Sequence, residues 1–422
     1  MDVMTDSIPH STAPAWYRWV VLVFISLAMF GNYYIYDSIS PLADLLSRQL
    51  GFSDSNIGLL NAIYSFPNIL MVLISGIIID RLGARKSSLI FSALCMIGAV
   101  VTAIQGNLIT MAAGRLIFGL GAESLIVAIT TVIARWFKGR QLSFAFGLNL
   151  SVARIGSVAA FNSPTWAGSM YDSWQKPLWI AAIAGLISVV TVIVYGIMDQ
   201  NAVKRYGLDD STQTDKIEWA SIFKFNASFW YITLLCLTFY SAIFPFQTFA
   251  VKFFMEHHGV NRELGGFLVS TLTLSAMVLT PLFGLMADYI GKRSLLMMLG
   301  SLCLIPVYLM MGYTRVSLYI PMAMMGIAFS LIPAILWPSV ALIVEPHKLG
   351  TAYGLMTMIQ NIGFFAFNLL IGMANDYSQG YTMGMWIFSC LGFFGLFWAF
   401  MLRRNQISSG NLSLEKGCRT NS

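Results

Sequence analysis

Glu123 and Arg154 are opposite charges set inside long apolar stretches of a chain in which only 10% of residues are charged and 57% are hydrophobic. An ionised side chain at the centre of a bilayer costs on the order of 2.5–3.5 kcal/mol even on insertion scales, so such residues face a partner or a water-filled cavity. An arginine guanidinium offers a planar fork that grips a carboxylate through two hydrogen bonds, and a glutamate carboxylate accepts from an ammonium. One fixed cation beside one fixed anion therefore suits a zwitterion. The same two residues could instead form a salt bridge tying two membrane helices together, although a buried ion pair stabilises less than good apolar packing would.

The elements that must hold these charges are membrane spans. With a mean hydropathy of +0.72, the chain fits an all-α polytopic membrane protein. Twelve apolar stretches, residues 18–41, 57–79, 88–106, 108–134, 142–164, 177–198, 227–251, 264–287, 294–313, 317–343, 351–373 and 383–402, can each cross about 30 Å of hydrocarbon as a helix. Counted at 1.5 Å per residue from the inner ends of the fourth and fifth spans, Glu123 lies about 16 Å deep and Arg154 about 18 Å. Both fall near the midplane of such a bilayer.

The net charge of +6 does not point to nucleic acid, because the basic residues are sorted by side. With the N-terminus inside, Arg48, Lys176, Lys252, Arg262 and Arg315 face outward, Arg115 and Arg154 lie in the membrane, and the remaining Lys and Arg fall inside. Both termini are therefore expected in the cytoplasm, with Met1–Ala15 a polar tail rather than a cleaved signal. The five cysteines show no metal or disulfide spacing, and neither a phosphate-binding loop nor a His/Cys cluster is present. No cofactor, no metal and no enzymatic activity are expected.

The chain repeats itself. Gly76, Asp80, Gly83 and Arg85 recur as Gly284, Asp288, Gly291 and Arg293, and Gly147, Ile155 and Gly156 recur as Gly354, Ile362 and Gly363. This divides the sequence into a six-span bundle (1–198), a polar cytoplasmic linker (199–226), a second six-span bundle (227–404) and a tail (405–422). In the second half the mates of Glu123 and Arg154 are Ser330 and Asn361, so the deep charges belong to the first half alone. The second half offers Gln360, Asn361, Trp337, Tyr240, Phe244, Phe246 and Gln247 at similar depth. The first half adds Tyr33, Tyr34, Tyr36, Tyr64 and Asn68. The binding set expected from depth is Glu123, Arg154, Trp337, Asn361, Gln360, Tyr64, Asn68, Tyr240, Phe244 and Tyr36, with Asp37 in an outer vestibule. Any one of these aromatics could equally be membrane packing. Trp337 stands out because Pro333 and Pro338 flank it, and prolines in membrane helices free backbone groups that line cavities.

Twelve spans in two sixfold halves, with a G-x-x-x-D-x-x-G-x-R loop after the second span and again after the eighth, resemble the major facilitator superfamily. The resemblance implies a major facilitator fold of two pseudo-symmetric six-helix bundles. It also implies that Asp80, Arg81, Arg85, Asp288 and Arg293 serve the cytoplasmic gate rather than bind substrate. In GRLIFGLGAES, Arg115 is expected to be structural or coupling rather than a ligand.

A closer resemblance is carried by Tyr64, Pro67 and Asn68, by Gly119, Glu123 and Ser124, by Ala153, Arg154, Ile155 and Gly156, by Phe244, Pro245 and Phe246, by Trp337 and Pro338, and by Gln360 and Asn361. On these residues the chain is similar to the lysosomal dipeptide transporter branch. The branch implies that Glu123 and Arg154 contact the two ends of a dipeptide. The outer loops carry no N-x-S/T sequon, which leads to the expectation of a bacterial inner-membrane address, a monomer, and operation without an accessory subunit. All four histidines lie in tails or loops and Glu123 is the deep acid, so facilitated movement is expected, with proton symport, or export of another small organic solute, as the alternative. A transporter-like sensor would want a larger cytoplasmic tail.

Overall fold

The computed structural model describes residues 14–137, 141–206, 225–345, 348–410 and 413–415, and these form helices and short connections. The helices are α1 (Ala15–Asp37), α2 (Ala43–Leu50), α3 (Asp54–Ile104), α4 (Leu108–Phe137), α5 (Leu142–Phe161), α6 (Ser163–Trp166), α7 (Gln175–Tyr206), α8 (Ala227–His258), α9 (Arg262–Ile290), α10 (Arg293–Tyr313), α11 (Tyr319–Ile343), α12 (Leu349–Ser378) and α13 (Thr382–Ser408). In a bilayer every backbone polar group must be satisfied within the chain, which is why the apolar stretches all become helices. The twelve expected spans are present, two of them inside α3.

The break between those two spans explains the repeated glycine. Gly83 interrupts α3 with φ 78° and ψ 154°, and its mate Gly291 turns the chain between α9 and α10 with φ 67° and ψ −136°. That region of backbone space is open essentially to glycine alone. Elsewhere the ends are capped by ordinary means: Asn226 and Asn261 accept from Phe229 and Leu264 N–H at 2.9 Å, and Gly51 and Gly259 close α2 and α8 in the left-handed conformation.

Two expected boundaries move. Residues 199–206, expected to begin the linker, continue α7, and Asp199 is buried in an ion pair with Arg135 and a 3.0 Å hydrogen bond from Trp136 Nε1. Its polarity answers partners on α4 rather than solvent. The rest of the linker, 207–224, lies outside the described residues. At the other end α13 runs to Ser408, and 413–415 dock on the second bundle with Leu414 fully buried. The carbonyls of Glu415 and Leu414 accept from Lys292 and Arg293 N–H at 3.2 and 2.9 Å, and Glu415 also takes the Ser294 hydroxyl. The first turn of α10 has no side-chain cap of its own, so the distant tail satisfies its free N–H groups.

The halves meet chiefly through α3 against α12 and α5 against α9. Under the repeat register these two contacts are one contact made twice. A Cβ on Gly58 would strike the Asn368 carbonyl oxygen, and a Cβ on its mate Gly266 would strike the carbonyl oxygen of Phe161, the mate of Asn368. Small residues here let backbones touch where bilayer helices have little hydrophobic drive to associate.

Candidate functional site

Between the halves lies a cavity of about 450 Å³. Of the ten expected binding residues, nine line it: Glu123, Arg154, Trp337, Asn361, Gln360, Tyr64, Tyr240, Phe244 and Tyr36. Asn68 does not. It is fully buried, and its Nδ2 donates to the Tyr64 carbonyl one turn back, at 3.1 Å. A short amide side chain within reach of the i−4 carbonyl satisfies itself there instead of turning to a cavity.

Glu123 accepts from Tyr64 Oη at 3.3 Å, and the Arg154 guanidinium lies over the Phe329 ring at 5.6 Å. The two charges line the same cavity, yet no oxygen of one comes within 4.0 Å of a nitrogen of the other. The salt-bridge reading of the pair is thus not the arrangement adopted. Both groups stay directed at the space between the halves. Across from them, Trp337 Nε1 donates to Tyr240 Oη at 2.9 Å and Tyr353 Oη donates to the Trp337 carbonyl at 3.1 Å, which fixes the indole. The amide of Asn361 donates to the Thr357 carbonyl at 3.0 Å, while its Oδ1 is buried without a partner. Tyr36 and its repeat mate Phe244 meet at 6.2 Å, and Phe244 packs on Phe364 at 5.0 Å, forming an aromatic wall that joins the halves.

The α1 tyrosines divide by helical phase. Tyr33 and Tyr36 face the cavity together with Asn32 and Asp37, whereas Tyr34 is buried in the first bundle. Phe246 likewise packs inside the second bundle, against Tyr308 and Phe388. Asp37 is a correction: rather than standing in a hydrated vestibule it is 8% exposed and lines the cavity, which gives the site a second acid. Arg115, expected to be structural or coupling, spends its donors on the protein itself. Its Nε and Nη1 donate to the Leu60 and Ile35 carbonyls at 3.2 and 3.1 Å, and its Nη2 donates to the Tyr36 carbonyl at 3.3 Å and to Asn61 Oδ1 at 2.7 Å. It thereby caps carbonyls at the end of α1 and ties α1 and α3 to α4.

At the end of the cavity where α1 and α8 finish, the halves are closed by charge. Lys252 pairs with Asp54, and Arg262 grips Asp44 through Nε and Nη2 at 3.2 and 2.5 Å. Asn375 Nδ2 donates to Asp54 at 2.9 Å, and the Asp376 carboxylate accepts from the N–H groups of Asp54 and Ser55, both at 2.9 Å. The Ser40 hydroxyl donates to the Gln247 carbonyl at 2.5 Å. Sequence reasoning placed Lys252 and Arg262 outside but assigned them no role. The signal was available, because the register that places Gly76 on Gly284 also places Asp44 on Lys252 and Asp54 on Arg262. The two ion pairs are therefore symmetry mates.

At the opposite end, among the residues expected to gate, Asp288 pairs with Arg293 of its own loop at 2.7 Å. Asp80 and Arg81 are exposed and Arg85 is half-buried, with its chain beside Gly196.

Comparison with known proteins agrees with this architecture. The Major Facilitator Superfamily matches over residues 25–261 and 240–417. The lysosomal dipeptide transporter MFSD1 of Bos taurus is 32% identical over 411 residues, spanning 94% of this chain and 88% of that protein, and MFSD1 of Homo sapiens is 31% identical over the same spans. Among solved structures, the D323A mutant of the nucleoside transporter NupG superposes with a TM-score of 0.75 at 16% identity, covering 91% of this chain and 99% of that one. A bacterial homologue of the human lysosomal transporter Spinster, inward-facing and occupied, gives 0.72 at 15% identity, covering 93% and 98%. At such identities the structures attest the fold alone.

Proposed function

The chain belongs to the major facilitator superfamily and is a multi-pass membrane transporter, and we propose that it moves dipeptides or similar small zwitterions by alternating access, as a facilitative uniporter. Arg154 takes the substrate carboxylate and Glu123 its ammonium. The observation that carries this reading is that an anion on α4 and a cation on α5 face one cavity without pairing with each other. A volume of about 450 Å³ lies within the usual range for small-molecule sites, about 300–1,000 Å³. Relatives named as dipeptide transporters support the substrate class.

A zwitterionic dipeptide carries no net charge, so its movement is electroneutral and needs no accompanying ion, which fits uniport. The sorting of basic residues supports cytoplasmic termini, and the same reading puts the chain in a bacterial plasma membrane as a monomer without an accessory subunit.

Counterflow in proteoliposomes tests the proposal, using a dipeptide panel, single amino acids and an N-acetylated dipeptide, with and without a pH gradient and an imposed potential. Free dipeptides should exchange and the acetylated one should not, with no response to either gradient. Failure of every dipeptide to move or to stabilise the purified protein sinks the reading. Accumulation driven by a pH gradient replaces uniport with proton symport.

A further inference from the structure

Asp37 is the buried charge that the two-ended site leaves without a task. It is more than nine-tenths buried, it lines the cavity, and no Lys, Arg or His nitrogen lies within 4.0 Å of it among the described residues. The groups facing it come from every side: Tyr33 and Tyr36 on its own helix, Arg115 and Glu123 on α4, Arg154 and Ser157 on α5, Tyr64 on α3 and Gln247 on α8. Of the two cations, Arg115 directs its donors at carbonyls and at Asn61, and Arg154 points at the cavity over Phe329. The polar side chain set beside the Asp37 carboxylate on α5 is Ser157, which lines the same cavity. A buried carboxylate needs a cationic or hydrogen-bonding partner, and this one faces empty space that a ligand can enter.

Its height gives the partner. Ser157 is one turn outward from Arg154 on the same face of α5, so Asp37 stands over the outward side of Arg154, directly under the Ser40–Gln247 closure. Glu123, near the midplane of α4, stands lower. Resting on the proposed function above, we infer that Asp37 is a second ammonium-binding residue. With the substrate carboxylate held on Arg154, the ammonium is received by Asp37 when the cavity opens outward and passes to Glu123 when it opens inward. The substrate class is a primary or secondary amine paired with a carboxylate, and the two acids serve the two faces of the cycle in turn.

The test is sidedness. In proteoliposomes of defined orientation, Asp37→Asn should raise KM for dipeptide entering from the outer side by tenfold or more, while entry from the inner side changes less than twofold. Discrimination against the N-acetylated dipeptide should fall on the outer side only. Ser157→Ala, which removes the polar neighbour of the Asp37 carboxylate, should give a smaller shift with the same sidedness, and Asp37→Glu should restore most of the outer-side affinity. Should Asp37→Asn fold poorly, the Ser157→Ala and Asp37→Glu pair carries the test. Equal shifts on both sides, with a lower thermal midpoint, would make Asp37 only a counter-charge for the two arginines and overturn the inference, as would no shift at all. Wild-type protein that moves no dipeptide fails the parent reading; wild-type transport without sided shifts fails this one alone.

Discussion

The two halves share their mechanics and differ in their chemistry. Gly58 against Asn368 and Gly266 against Phe161 are the same backbone approach, made once in each direction across the interface. The glycine turns at 83 and 291 are the same turn. Yet near the midplane Glu123 corresponds to Ser330 in the repeat and Arg154 to Asn361, and at the rim where α1 and α8 finish the first half supplies the acids Asp44 and Asp54 while the second supplies the bases Lys252 and Arg262. Two bundles that rock against each other must fit in the same way on both sides of a pseudo-two-fold axis, so close-contact positions are held in common. A ligand with two different ends gains nothing from symmetry, so binding positions are free to diverge. Sign segregation at the rim has a further effect: both symmetry-related pairs are attractive.

The largest expected effect comes from erasing the midplane difference. Arg154→Asn makes the first half resemble the second and removes a charge-assisted contact worth on the order of 2–5 kcal/mol, so transport should fall more than a hundredfold with the protein still folded. Asn361→Ala should cost only a few-fold. Measured dipeptide exchange in which the two variants lose equally would show that the charge asymmetry is not what binds.

Next in size is the rim. Asp54→Lys opposes Lys252 with a like charge and should hold the outer end open, cutting exchange by tenfold or more and exposing an outer-facing cysteine probe at Ser40 to labelling; adding Lys252→Asp should restore both. A double variant no better than the single one would mean that the pair does not act as a closure. Gly58→Leu and Gly266→Leu should then impair exchange to similar degrees, since each drives a side chain into an equivalent carbonyl. Unequal losses would break the symmetry argument.

The smallest effect belongs to a feature that, among the described residues, is seen in the second half only. Ending the chain after Gly410 removes the carbonyls that cap α10 and the buried Leu414. A lost cap costs on the order of 1 kcal/mol, so a drop of a few degrees in thermal midpoint is expected, read by dye-based unfolding.

Much of the molecule was legible before any coordinates. Spans follow from hydropathy because the bilayer allows only satisfied backbones, and the repeat follows from glycines that need unusual backbone angles. Depth counting along helices gathered ten residues of which nine line one cavity, since a fixed rise per residue turns sequence position into height. Phase and partnership were not legible in the same way. Asn68 lies at the right height but bonds its own helix, Asp199 reads as solvent-loving but is buried against Arg135, and Asp37 reads as a vestibule residue until packing closes over it.

By itself the sequence determined the membrane class, the sixfold duplication and the similar height of Glu123 and Arg154, because these depend on local composition and on distance along a helix. Only the tertiary structure decided that Glu123 and Arg154 do not pair with each other, that Asp37 joins them in one cavity, and that the halves are tied by ion pairs at the end where α1 and α8 finish. Those outcomes depend on which helix faces which across the pseudo-axis, and so on contacts between residues far apart in the chain.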